Sequence, residues 1–152
     1  MITIKEQPTE QVRFEIPGPP VAKGRPRFRA AGGKVRTYTP EKTAEYENLV
    51  KLSYMEQVNI KLTGQIAATI YAYFPIPKSE SRKRHKLMAD GEITHTKRPD
   101  ADNIAKTVLD ALNGIAFDDD SQIWRLIVYK RYSEEPRVNV VLYGERADDD
   151  SI

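Results

Sequence analysis

The stretch from about Asp102 to Asn113 carries a helix whose two faces differ in chemistry, and nothing else in the chain restricts the fold as tightly. At helical spacing Ile104, Ala105, Val108, Leu109, Ala111 and Leu112 fall in one continuous arc, so that side must lie against a core. Asp102, Lys106 and Asp110 stand at i, i+4 and i+8 and line up just beyond the edge of the arc. Gly114 sits where a left-handed residue would end the helix. Ahead of it, Pro99 disfavours helical backbone at Arg98. Asp100 is therefore expected in extended chain, aimed at the same point as Asp102.

A second acidic group follows the helix, in Asp118-Asp119-Asp120-Ser121-Gln122. Crowded carboxylates repel and raise each other's pKa, and a divalent cation removes that penalty. Oxygen-only ligands suit a hard ion such as Mg²⁺, which takes one or two carboxylates with waters and substrate phosphates. Plainer readings stand beside this one. Asp102 or Asn103 would serve as a helix cap, Asp102–Lys106 as a surface ion pair of a few tenths of a kcal/mol, and Asp118 to Asp120 as a solvated turn. Those readings leave unexplained why two acidic clusters flank one helix in a chain with basic loops. A metal site for phosphate chemistry accounts for both.

The basic residues are also distributed unevenly. Lys23, Arg25, Arg27, Arg29, Lys34 and Arg36 have no acidic residue among them, Arg82, Lys83, Arg84 and Lys86 form a second run, and Lys97 and Arg98 a third. Net charge is only +2, so it is this separation that suits a polyanionic substrate. Lys23, Arg25, Arg27, Lys34 and Arg36 are read as phosphate contacts that carry no base information, with a solvated loop as the alternative. Phe28 and Tyr38 would stack on opened bases or anchor that loop to the core. Arg82 to Lys86 are read as a solvated helix face, His85 and His95 as surface residues, and Trp124 with its neighbours as sheet packing.

At 152 residues the chain fits one domain with a sizeable core. Its 39% hydrophobic and 30% charged content is that of a globular protein. There is no cysteine, which excludes disulfides, thiolate zinc sites and cysteine nucleophiles. No apolar run approaches the roughly 20 residues of a membrane span, and the first residues do not read as a signal peptide. The expectation is a cytoplasmic protein.

The domain is expected over residues 12–144, between an arm at 1–11 and a charged, frayed tail at 145–152. Alternation predicts strands at Val12 to Ile16, Gln65 to Phe74, Ile123 to Tyr132 and Arg137 to Tyr143. Residues 21–37 predict a loop or irregular hairpin. Thr39-Pro40-Glu41 predicts the start of a helix running to about residue 57, with Tyr46, Leu49, Val50 and Tyr54 on one side. Ser79 is expected to cap a short basic helix that Asp90-Gly91 closes. Four strands with two or three helices make a two-layer α+β domain.

The pattern D-x-D-N-x-x-K, then D-A-L-N-G, then D-D-S-Q about ten residues on, resembles the RusA family of Holliday-junction resolvases, small endodeoxyribonucleases often encoded by prophages. The Pro-Gly-Pro-Pro strand end and the Lys23-Gly24-Arg25-Pro26-Arg27 segment are similar to that family's basic N-terminal region, and the likeness spans about residues 12 to 143. The resemblance implies that Asp100, Asp102 and Asp120 are the catalytic, metal-holding carboxylates and that Lys106 is the motif lysine. Asp119 matches the first acid of D-D-x-Q and is a further candidate metal ligand with a less defined part, and Asp118 is an extra acid. It further implies a mixed sheet with helices packed on it, a homodimer, one or two Mg²⁺ per site, and symmetrical cutting of four-way DNA junctions in recombination and repair. From the residues alone, another Mg²⁺-dependent nuclease or phosphoesterase and a non-catalytic junction-binding protein remain open.

Overall fold

A computed structural model of the chain describes residues 10–22, 27–32, 34–38 and 41–148. Strands β1 (Glu10–Pro17), β4 (Leu62–Pro75), β5 (Ile123–Ser133) and β6 (Arg137–Arg146) form one sheet; a hairpin of β2 (Arg27–Ala31) and β3 (Lys34–Tyr38) stands apart from it. The helices are α1 (Glu41–Gln57), α2 (Arg82–Ala89) and α3 (Ala101–Leu112). The sheet order is β1-β6-β4-β5, antiparallel except for the parallel β4–β5 pair. A parallel neighbour needs a long crossover, which α2 and α3 provide. The expected α+β class with a four-stranded mixed sheet is therefore what the chain builds.

The sheet's inner face follows the period of two. Val12, Phe14 and Ile16 on β1, Ile66, Ala68, Ile70, Ala72 and Phe74 on β4, and Val138, Val140 and Leu142 on β6 are all buried. They meet Tyr46, Val50 and Tyr54 of α1 and Ile104, Val108 and Leu112 of α3 in one core. Phe14 packs edge-on against Tyr54, centroids 5.1 Å apart at 80°. The outer face is tyrosine-rich: Tyr71 stacks on Tyr129 at 5.0 Å, and the Arg137 guanidinium lies 4.1 Å from the centre of the Tyr73 ring.

Several expectations are corrected at element ends. β1 begins at Glu10 and β6 runs to Arg146, because Leu62 and Thr63 pair with Arg146 and Glu145, and Arg146 forms a bidentate ion pair with Glu10 at 2.8 and 3.1 Å. The expected arm and tail thus lose their inner residues to the sheet. The α2 cap is Ser81, whose hydroxyl accepts from the Arg84 amide at 3.3 Å, not Ser79. The segment read as loop or hairpin folds as β2–β3, with Arg27, Lys34 and Arg36 on its strands. Lys23, Arg25 and the Thr39-Pro40 helix start lie outside the described residues. His95, expected at the surface, is buried, and Trp124, expected to pack in the sheet, is exposed.

Candidate active site

The acidic helix starts as its sequence requires. Asp100 is the N-cap of α3 with φ −69° and ψ 151°, the extended backbone usual at that position, and its carbonyl accepts from the Ile104 amide at 3.2 Å. The Arg98–Pro99 bond is cis. The cap position expected at Asp102 or Asn103 thus falls on Asp100, whose carboxylate makes no capping hydrogen bond. Asp102 follows in the first turn, exposed. Behind them Ile104, Ala105, Thr107, Val108, Leu109, Ala111 and Leu112 are buried, with Thr107 donating to the Asn103 carbonyl at 2.9 Å. The helix therefore holds its acidic edge on a fixed, core-anchored body.

Lys106 does not turn back to Asp102. Its ammonium lies 3.9 Å from an Asp110 oxygen, one turn further along. Gly114, at φ +79°, then lets the chain reverse beyond Asn113, and Leu112 and Phe117 backbone groups close the turn through Ala116 and Gly114.

The second acidic group is shaped by Gln122. Its side-chain oxygen accepts from the Asp118 and Asp119 amides, both at 3.0 Å, and its amide nitrogen donates to the Gly64 carbonyl at 3.0 Å. Asp119 completes a capping box on the 3-10 turn Asp120–Gln122 and accepts from the Ser121 hydroxyl at 2.7 Å, which holds its carboxyl below the usual range. Asp118 pairs with Lys61. Asp119 and Asp118, both exposed, thus shape and anchor the turn, and Asp120 is its half-buried acid.

Partial burial pushes the Asp120 carboxyl up, reinforced by Asp119 and by the charge of Asp110, while Lys106 pulls it down. Asp120 is therefore within electrostatic reach of the middle of α3. At 1.5 Å rise per residue, Asp102 lies ~6 Å along the helix from Lys106. The fold thus brings Asp120 of the second cluster toward Asp110 and Lys106 of α3, while Asp100 and Asp102 stand toward the start of the same helix. Asp110 is an addition to the expected site residues, and its sequence signal is the i+8 spacing from Asp102.

Among the described residues no three His, Asp or Glu side chains are grouped to hold one ion between them. The donors are oxygen-only and accessible, which fits a hard ion that draws its remaining ligands from water and phosphate rather than from a closed protein cage.

His95 supports the approach to α3. Its ring lies on Phe74 at 3.6 Å and 8°, its amide donates to the Lys130 carbonyl at 3.2 Å, and Lys130 donates to the Lys97 carbonyl at 2.6 Å. Burial, with the charges of Lys130 and Lys97, lowers its pKa to about 4. A lone histidine in a polar loop gave no sign of this. A shallow cleft of about 290 Å³, lined by Thr94, His95, Ala101, Val128, Lys130 and Arg131 among others, opens beside the helix start.

The model of the family described as endodeoxyribonuclease RusA matches residues 17–143. An uncharacterized protein, YqaN of Bacillus subtilis (strain 168), is 39% identical over 134 residues, covering 86% of this chain and 94% of its own. A family match over most of the chain, spanning the segment that carries both acidic groups, means that this protein belongs to the RusA endodeoxyribonuclease family.

Proposed function

We propose that the protein is a Mg²⁺-dependent, structure-specific endodeoxyribonuclease that resolves four-way DNA junctions by paired, symmetrical phosphodiester hydrolysis in recombination and repair. The observation that supports this reading is that Asp120 feels the charges of Asp110 and Lys106 on α3, the helix that also carries Asp102 behind its Asp100 cap, in a member of an endodeoxyribonuclease family. Asp100, Asp102 and Asp120 would hold one or two Mg²⁺. When bound, the metal supplies Lewis-acid polarisation of the phosphate and an activated water.

The chain's own groups act around that centre. The core-packed side of α3 fixes where Asp102 and Lys106 stand, so little reorganisation is needed when DNA arrives. Lys106 offsets negative charge that grows on the phosphate as water adds, and Asp110 keeps its ammonium from folding back on Asp102. The Gln122 bonds hold the turn so that Asp120 faces α3. Lys23, Arg25, Arg27, Lys34 and Arg36 hold phosphates of the arms, a sequence-independent grip. Two cuts at symmetry-related points call for two copies of one site, hence a homodimer. No helix among the described residues is long and apolar enough to cross a membrane. A DNA substrate is met in the cytoplasm, where we expect the protein to act.

The deciding experiment incubates purified protein with an end-labelled mobile four-way junction, a flap, a mismatch and linear duplex, each with Mg²⁺ and with EDTA. Paired nicks confined to the junction and to Mg²⁺ are expected. Preferred cutting of flaps or mismatches would make it a different nuclease, and junction binding without cleavage would make it a binding protein.

A further inference from the structure

The chain's one tryptophan is outside the core. Trp124 is 63% exposed, although tryptophan is highly buried on average. It follows the turn that carries Asp120 by two residues. Along β4–β5, Ile66 faces Ile123 and Ala67 faces Arg125, so Trp124 is the extra residue of a bulge and has no partner on β4. Bulges gather at sheet edges and beside active sites, where they re-aim a side chain. β5 is an edge strand, and the Arg125 guanidinium lies 5.5 Å from the centre of the Trp124 ring. Leu126, next along the strand, is 44% exposed.

A flat ring held in solvent with a guanidinium against it offers a π-surface and a positive charge together. That combination fits a nucleobase and its neighbouring phosphate. The occupant is constrained by position. Trp124 follows Asp120, which the substrate must reach, by four residues across one short turn. The bulge also interrupts the regular ladder at this end of β5, which disfavours strand-to-strand pairing with a second copy there.

We infer that Trp124, assisted by Arg125, is a substrate-positioning contact that stacks on an unpaired base of branched DNA beside the phosphate to be cut. This rests on the junction-cutting reading and adds to it the group that engages the base. In linear duplex the base faces are stacked and hidden. At a branch point they are already partly open, so unstacking is cheapest there, and the contact favours branched over linear DNA.

Because Trp124 is the sole tryptophan, its fluorescence reports this one position. Wild-type protein is titrated in EDTA with a four-way junction and with linear duplex, following emission and gel mobility together. Trp124→Ala and Trp124→Phe are then compared for junction binding and for cleavage in Mg²⁺. The junction is expected to quench emission and the duplex to do so much less. Trp124→Ala should bind the junction roughly 5- to 150-fold more weakly, the range expected for removing one base stack, and Trp124→Phe should recover most of that affinity. Gel-shifted junction with unchanged emission, together with a Trp124→Ala protein that binds and cuts as wild type does, would overturn the contact while leaving junction cutting intact. Emission that changes on diluting free protein but not on adding DNA would assign the ring to an interface between copies and overturn it equally. A wild type that neither binds nor cuts the junction would instead remove the functional reading, and this contact with it.

Discussion

At the residue scale the catalytic assignment turns on charge. Asp102→Asn keeps shape while removing a carboxylate, so junction cleavage should fall by far more than tenfold, that is by more than ~1.4 kcal/mol in barrier. Junction binding should survive, since less negative charge then faces DNA. Single-turnover cleavage and gel shift measure the two separately, and a variant cutting within about tenfold of wild type would remove Asp102 from the site. Asp100→Asn and Asp120→Asn should behave alike. His95 makes a different prediction. Its folded pKa, about 4, lies below its ordinary value of 6.5, so between those values the unfolded chain binds the proton and the folded one does not. Stability is full above pH 6.5 and is lost as pH falls toward 4, with a slope of at most ~1.4 kcal/mol per pH unit for one proton. Urea unfolding from pH 7 to 4 should show that loss, and His95→Phe should flatten it.

At the element scale, two local structures position the acids. In α3 the acidic edge depends on the buried arc. Ile104, 1% exposed, should cost about 2–4 kcal/mol when changed to alanine. Thermal unfolding checks the loss, and cleavage should fall with it at temperatures where the wild type is still folded. In the 3-10 turn the same logic rests on one side chain. Gln122→Ala removes three hydrogen bonds that tie Asp118, Asp119 and Gly64 together. Freed from them, Asp120 should lose its fixed aim, and the cleavage rate should drop roughly 10- to 100-fold with junction affinity little changed. Equal losses in rate and affinity would show the turn to be a binding element instead.

At the scale of the whole molecule, symmetry and charge decide how DNA is held. Sedimentation should give a dimer at micromolar concentration, and a monomer both free and on DNA would exclude paired symmetrical cutting by one complex. The basic segment ahead of β3 should supply sequence-independent affinity. Arg25→Ala with Arg27→Ala should weaken binding across junction sequences and reduce the log–log salt slope by about 0.9 for each phosphate that is no longer neutralised. Cleavage should return at high protein concentration, because the acids are untouched.

Much of this was legible in the residues. The wheel of α3, the extended Asp100, the alternating β1 and β4 faces and the lysine between two acidic groups all follow from local periodicity and from proline and glycine geometry. Such features are set by neighbours a few residues apart, so a sequence reports them directly. What only the tertiary structure decided involves partners far apart in the chain. Asp120 comes within electrostatic reach of Lys106 and Asp110 on a turn that Gln122 ties to Gly64 of β4. His95 is buried because Phe74, more than twenty residues earlier, lies beneath its ring. Trp124 is exposed because the β4–β5 ladder slips by one residue there, and at a side-chain period of two one residue changes which way a side chain points. Hydrophobicity told that a tryptophan would pack; pairing register told where it went.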